Sequence, residues 1–95
     1  MVLVSYDVST ITVDGRRRLR RVSRTCQDYG QRVQFSVFEL EVEPGAWTII
    51  RQRLIDLIDQ EVDSLRFYHL GAKWQGKVEH VGAKPGIDFN GPLVF

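Results

Sequence analysis

Apolar residues in this chain change their spacing at regular intervals, moving twice from the alternation of a strand to the three-and-four step of a helix. The opening run Val2, Leu3, Val4, Ser5, Tyr6, Asp7, Val8 is β-branched or apolar at nearly every position, as in a buried central strand. Ser9, Thr10 and Asp14-Gly15 then suit a loop and a helix start, with Asp14 as the N-cap. From Arg16 onward Leu19, Val22, Cys26 and Tyr29 fall on one helical face, while Arg17, Arg20, Arg21 and Arg24 lie off it. Gly30 should close that helix in the left-handed conformation that helix C-termini favour.

Arg32 to Val42 returns to strand-like alternation through Val33, Phe35, Val37, Leu40 and Val42, with a phase shift near Phe38. That pattern fits two strands divided by a tight turn around Phe35 to Val37, or one kinked strand. Pro44-Gly45 marks the next turn, and Trp47, Ile50, Leu54, Leu57 and Ile58 form a second amphipathic helix. Its outer face, with Arg51, Arg53, Asp56, Asp59 and Glu61, is charge-balanced and reads as solvated. Ser64 to Leu70 and Lys77 to Val81 read as two further strands, closed by Gly71 and Gly82.

The order β, α, β(β), α, β, β predicts an α+β, ferredoxin-like (split βαβ) sandwich with both helices on one face of an antiparallel sheet. Residues 1–95 suit a single domain. Residues 82–95 end in Pro92, Leu93, Val94, Phe95, an apolar terminus that needs cover, so this segment is expected to dock on the partner of a homodimer as an added strand.

No apolar run approaches the roughly 20 residues that span a bilayer, and no basic-then-apolar leader is present, so a soluble, cytoplasmic protein with no membrane partner is expected. Cys26 is the single cysteine and has no partner for a disulfide or a thiolate zinc site; it reads as a small apolar residue on a helix face. The net charge of +1 conceals an asymmetry. Residues 1–37 carry seven arginines against three aspartates, whereas residues 38–95 carry six basic and nine acidic groups. A face this positive suits either a polyanion ligand or solvent.

Asp7 interrupts an apolar strand near its end, where a carboxylate has to be solvated or paired. It fits a ligand for a divalent cation, since one or two carboxylates suffice for Mg²⁺ when a phosphate supplies further oxygens, and it equally fits a cap on the following loop. His69 and His80 are not spaced as a metal pair and read as core or surface residues. Phosphate-binding glycine loops and a GxSxG elbow are absent, which removes support for nucleotide-cofactor and serine-hydrolase chemistry. Tyr6 and Phe38 suit either base stacking or the core.

The strand ending Tyr6-Asp7, the arginine-rich helix and the stretch Gly30-Gln31-Arg32-Val33-Gln34-Phe35-Ser36-Val37-Phe38-Glu39 resemble the CRISPR-associated Cas-two family. Asp63 to Tyr68 and the segment from Lys77 to Phe95 resemble its members from subtype I-C systems, so the likeness runs over nearly the whole chain. The resemblance implies a ferredoxin-like protomer and a two-fold homodimer with exchanged C-terminal strands. It also implies partnership with the Cas-one integrase on double-stranded DNA during spacer acquisition. For some members it implies metal-dependent cleavage of RNA or double-stranded DNA, with the strand-end aspartates of both protomers sharing one Mg²⁺ or Mn²⁺ across the dyad. That aspartate is Asp7 here, and Tyr6, Arg21, Arg32, Ser36 and Phe38 fall at or near the family's site positions. Arg16, Arg17, Arg20, Arg21, Arg24 and Arg32 are the candidate phosphate contacts. Two Asp7 carboxylates brought together would repel without a cation, so metal and pH dependence are expected. A non-catalytic DNA-binding scaffold, a toxin-like metal-dependent endoribonuclease and a ferredoxin-like RNA-binding module are the competing functions.

Overall fold

The computed structural model of the chain describes residues 1–71 and 77–83. Its elements run β1 (Val2–Asp7), α1 (Val13–Tyr29), β2 (Gln31–Gln34), β3 (Val37–Leu40), α2 (Pro44–Leu57), β4 (Ser64–His69) and β5 (Lys77–Gly82). The strands form one sheet in the order β2-β3-β1-β4-β5, with every pairing antiparallel. This is the expected split βαβ plan with an extra edge strand, and β1 takes its central place.

Side-chain alternation explains how the layers form. Val2, Val4 and Tyr6 of β1, Phe38 and Leu40 of β3, and Leu65 and Phe67 of β4 point to the same side. There they are buried in one cluster with Val22 and Cys26 of α1 and Trp47, Ile50 and Leu54 of α2. Each such side chain contributes about 1.5–3 kcal/mol when fully buried. Trp47 meets the Phe67 ring edge-on at 4.9 Å. The opposite face of the sheet has neither α1 nor α2 over it and carries Leu3, Ser5, Val37, Glu39, Arg66, Tyr68, Val78 and His80, all half-buried.

Several local expectations are corrected. Helix α1 starts at Val13 rather than Arg16, and its N-cap is Thr12, not Asp14: the Thr12 hydroxyl accepts the Gly15 N–H at 2.9 Å. Gly15 lies inside the first turn because a Cβ there would overlap the Ser9 carbonyl oxygen, so its absence lets the arginine-rich helix press on the loop after β1. Gly30 is extended, at φ −157°, instead of left-handed. Glycine is needed there because a Cβ would collide with the Glu39 carbonyl and the Leu40 side chain. Tyr29 is exposed rather than part of the core stripe, and its hydroxyl accepts from Arg53 at 2.9 Å.

Pro44 opens α2 at its first turn instead of forming a separate turn before it, a place where the missing N–H carries no penalty. Asp59 and Glu61 lie beyond the end of α2. Arg51 is not solvated as expected, since β5 runs beside α2 and its Glu79 accepts two hydrogen bonds from Arg51 at 2.7 and 2.5 Å. The stretch 31–40 is two strands with a turn at Phe35-Ser36, and the register shifts between Arg32 and Gln34. Val33 and Phe35 are therefore exposed, although simple alternation put them inside. The expected docking strand within 84–95 lies outside the described residues.

Candidate active site and nucleic-acid surface

Three chain segments meet at the C-terminal end of β1. The Tyr6 N–H donates to the Ser36 carbonyl at 3.1 Å, which ties β1 to the β2–β3 turn, and Asp7 stands opposite Ser64 across the β1–β4 ladder. Between them lies an open cleft of about 430 Å³ bordered by Ser5, Tyr6, Asp7, Ser36, Ser64 and Arg66. Asp7 is exposed there, at the point where alternation turns the side chain away from the core.

A second carboxylate holds the frame of this cleft from behind. Asp63 is completely buried. Its Oδ1 accepts the Ser9 N–H at 2.9 Å, and its Oδ2 accepts the Asp59 N–H at 2.9 Å and the Arg18 Nε–H at 2.7 Å. Burial alone would raise its pKa, but the Arg18 guanidinium and the two backbone donors more than offset that and hold it below the usual carboxylate range. The loop following Asp7 is thus pinned by a residue from the far side of the chain.

Tyr6 and Phe38 have moved into the core. Their rings are stacked with centroids 6.2 Å apart, and Phe38 is fully buried, so direct contact with a substrate is not open to it. The Tyr6 hydroxyl donates to the Phe35 carbonyl at 3.1 Å. Arg32 donates to the same carbonyl at 2.7 Å and to the Ser23 hydroxyl at 2.8 Å, with its guanidinium 4.8 Å from the centre of the Phe38 ring. Tyr6, Phe38 and Arg32 therefore shape the turn that carries Ser36.

The arginines of α1 occupy a different surface. Arg17, Arg20, Arg21 and Arg24 line an exposed groove of their own, and Arg20 and Arg24 also face Arg32 across a second groove beside Phe35. Arg16 donates to the Thr10 carbonyl at 3.2 Å, and Arg17 is 4.0 Å from Asp14. None of the six candidate phosphate contacts borders the Asp7 cleft. The arginine that does is Arg66, whose Nε–H points to His80 Nδ1 at 3.5 Å while His80 Nε2 faces the Ala83 carbonyl at 2.7 Å. Sequence alternation could show that Arg66 points away from the core, but only strand pairing puts it beside Asp7.

A divalent cation would meet oxygen chemistry at Asp7, whose carboxylate shares the cleft with Ser36 and Ser64. Among the described residues no group of three or more His, Cys, Asp or Glu side chains could hold a metal ion. The residues present therefore fit an oxygen-ligated cation completed by phosphate, water or a second protomer, and not a closed metal cage. His69 is buried edge-on against Trp47 at 5.9 Å, and burial, aided by Lys77, lowers its pKa. Cys26 is buried in the core, and desolvation pushes its thiol up to about 12. No helix among the described residues is long and apolar enough to cross a membrane.

Residues 1–78 match the family model described as CRISPR associated protein Cas2. A protein of Rhodospirillum rubrum, named CRISPR-associated endoribonuclease Cas2 3, is 60% identical over 95 residues, covering 100% of both chains. One of Halalkalibacterium halodurans, named CRISPR-associated endonuclease Cas2, is 53% identical and covers 100% of this chain and 99% of its own. The crystal structure of Streptococcus pyogenes Cas2 at pH 6.5 superposes with a TM-score of 0.69 at 57% identity, covering 78% of this chain and 89% of that one. The family match spans every residue that borders the Asp7 cleft, and the chain belongs to the Cas2 family of CRISPR-associated proteins.

Proposed function

We propose that this protein is a cytoplasmic component of CRISPR spacer acquisition that works as a homodimer, binds double-stranded DNA together with the family's integrase, and hydrolyses phosphodiester bonds in a metal-dependent way at Asp7. The observation that carries the catalytic part is the exposed Asp7 carboxylate in a polar cleft with Ser36, Ser64 and Arg66. Relatives named endoribonuclease and endonuclease support a nuclease and leave RNA and DNA as alternative substrates.

The sheet face opposite α1 and α2 supports the dimer, because its rows mix Leu3, Val37, Tyr68 and Val78 with Glu39 and Arg66. A two-fold contact uses the same patch twice and would bring a second Asp7 toward the first. A divalent cation at that place would supply charge to stabilise the phosphate under attack. Asp7 would hold it, Arg66 would orient a phosphate oxygen, and Asp63 would keep the Val8–Thr12 loop from shifting the carboxylate.

A scaffold without catalysis is the second reading, and one feature favours it: the α1 arginines form a surface separate from the Asp7 cleft. Binding and cutting are then separable. The deciding experiment incubates wild type and Asp7→Asn, both verified as dimers, with linear duplex DNA and single-stranded RNA, with Mg²⁺ or chelator, across pH. Metal-dependent cleavage lost in the variant while binding persists supports the nuclease, and the polymer cut identifies the substrate. No cleavage by either protein, with equal duplex binding and the same salt dependence, refutes catalysis and leaves the scaffold.

A further inference from the structure

We propose that the groove between α1 and the β2–β3 turn binds an unpaired nucleotide, its base stacked on Phe35 and its phosphate held by Arg20 and Arg24. The proposal rests on the nucleic-acid reading above and adds to it the form of the ligand.

Phe35 is 92% exposed, the most exposed large hydrophobic residue among those described. Its backbone is nevertheless fixed. The Phe35 carbonyl accepts from both the Tyr6 hydroxyl and Arg32, and the adjacent Ser36 carbonyl accepts the Tyr6 N–H. An aromatic ring held out in water on a clamped turn is preorganised to stack, because little backbone freedom remains to be lost on binding.

The groove beside the ring measures about 780 Å³ and is bordered by Arg20, Gln27, Arg24, Arg32, Phe35 and Ser36, with no carboxylate along it among the described residues. That volume lies within the roughly 300–1,000 Å³ of small-molecule sites. Arg32 is engaged by Ser23 and the Phe35 carbonyl, so it serves as the wall. Arg20 and Arg24 are exposed and have no hydrogen bond or ion pair with any described residue. Two uncommitted guanidiniums next to one protruding ring match the two parts of a nucleotide. A paired duplex hides its base faces within the stack and offers the ring nothing except at its ends, so the expected ligand is a single strand or a frayed end.

The test uses the full-length protein with chelator present, so that no strand is cut. Fluorescence anisotropy is measured on labelled single-stranded RNA, single-stranded DNA and blunt duplex DNA, and 2-aminopurine quenching reports stacking. Phe35→Ala should weaken single-strand binding by roughly 5- to 150-fold, abolish the quenching and leave blunt-duplex affinity within about twofold. Phe35→Trp should restore both signals. Arg20→Gln with Arg24→Gln should reduce the salt dependence on every strand. For Phe35→Ala, equal loss on single strand and duplex, no loss on either, or a loss that follows dimer dissociation in sedimentation would overturn the proposal. If wild type binds no nucleic acid at all, the functional reading itself fails; binding that ignores Phe35 removes only this site.

Discussion

Replacing Asp63 with alanine should remove about 3–5 kcal/mol of folding free energy, the range for breaking a buried ion pair from one side. The magnitude follows from what the carboxylate satisfies. It is fully buried and accepts the backbone N–H groups of Ser9 and Asp59 as well as the Arg18 guanidinium. Alanine leaves both N–H groups without an acceptor, at about 1–3 kcal/mol each, and the cation without its counter-charge. Arg18 retains some solvent access, with 19% of its side chain exposed, which limits its share of the loss and argues for the lower half of the range.

For a domain of this size, a loss of about 3 kcal/mol corresponds to a fall in Tm of roughly 12–24 °C. Wild type and variant should be melted and titrated with urea at one protein concentration, because association raises apparent stability. Acid titration gives an independent check. A carboxyl held below its unfolded value contributes stability that is present above that value and lost as pH falls through the folded one. Wild type should therefore lose this contribution below about pH 4, and Asp63→Ala should lack that component. Asp63→Asn, which keeps the shape and one acceptor oxygen, should fall between the two. A variant within about 0.5 kcal/mol of wild type, the range of an ordinary surface change, would refute the reasoning.

Gly30→Ala should destabilise by about 1–3 kcal/mol in urea titration, since the added methyl has to displace the Glu39 backbone or Leu40. Cys26 should resist a thiol reagent at neutral pH and react at once in denaturant, given its burial and a thiol pushed up to about 12. His69, with its pKa lowered, should make the native state lose stability as pH falls below about 6.5, because the unfolded chain takes up that proton first. His69→Gln should flatten that part of the pH profile, read as urea midpoints.

Much of the fold was legible because it depends on near neighbours. The apolar run of β1, the helical stripe of Val22 and Cys26, and the spacing of Trp47, Ile50 and Leu54 each announced an element and its buried face, and those residues form the core. The phase shift before Phe38 admitted a turn or a kink, and the turn formed there. The same local logic failed for Gly30, whose role is a close approach to β3 and not a left-handed cap, and for Phe35, which sits at the turn rather than in the alternation.

The sequence by itself determined which segments are strands or helices, most of the side chains they bury and where a strand-end carboxylate stands, since periodicity and turn chemistry act over a few residues. Tertiary structure alone decided what surrounds that carboxylate. The β1–β4 register placed Ser64 opposite Asp7 and Arg66 opposite the neighbouring Ser5, while the arginines of α1 line a groove of their own. Asp63 was indistinguishable from a solvated turn residue until folding enclosed it among Ser9, Arg18 and Asp59. Contacts between residues far apart in the chain depend on register and layer packing, which no local pattern encodes.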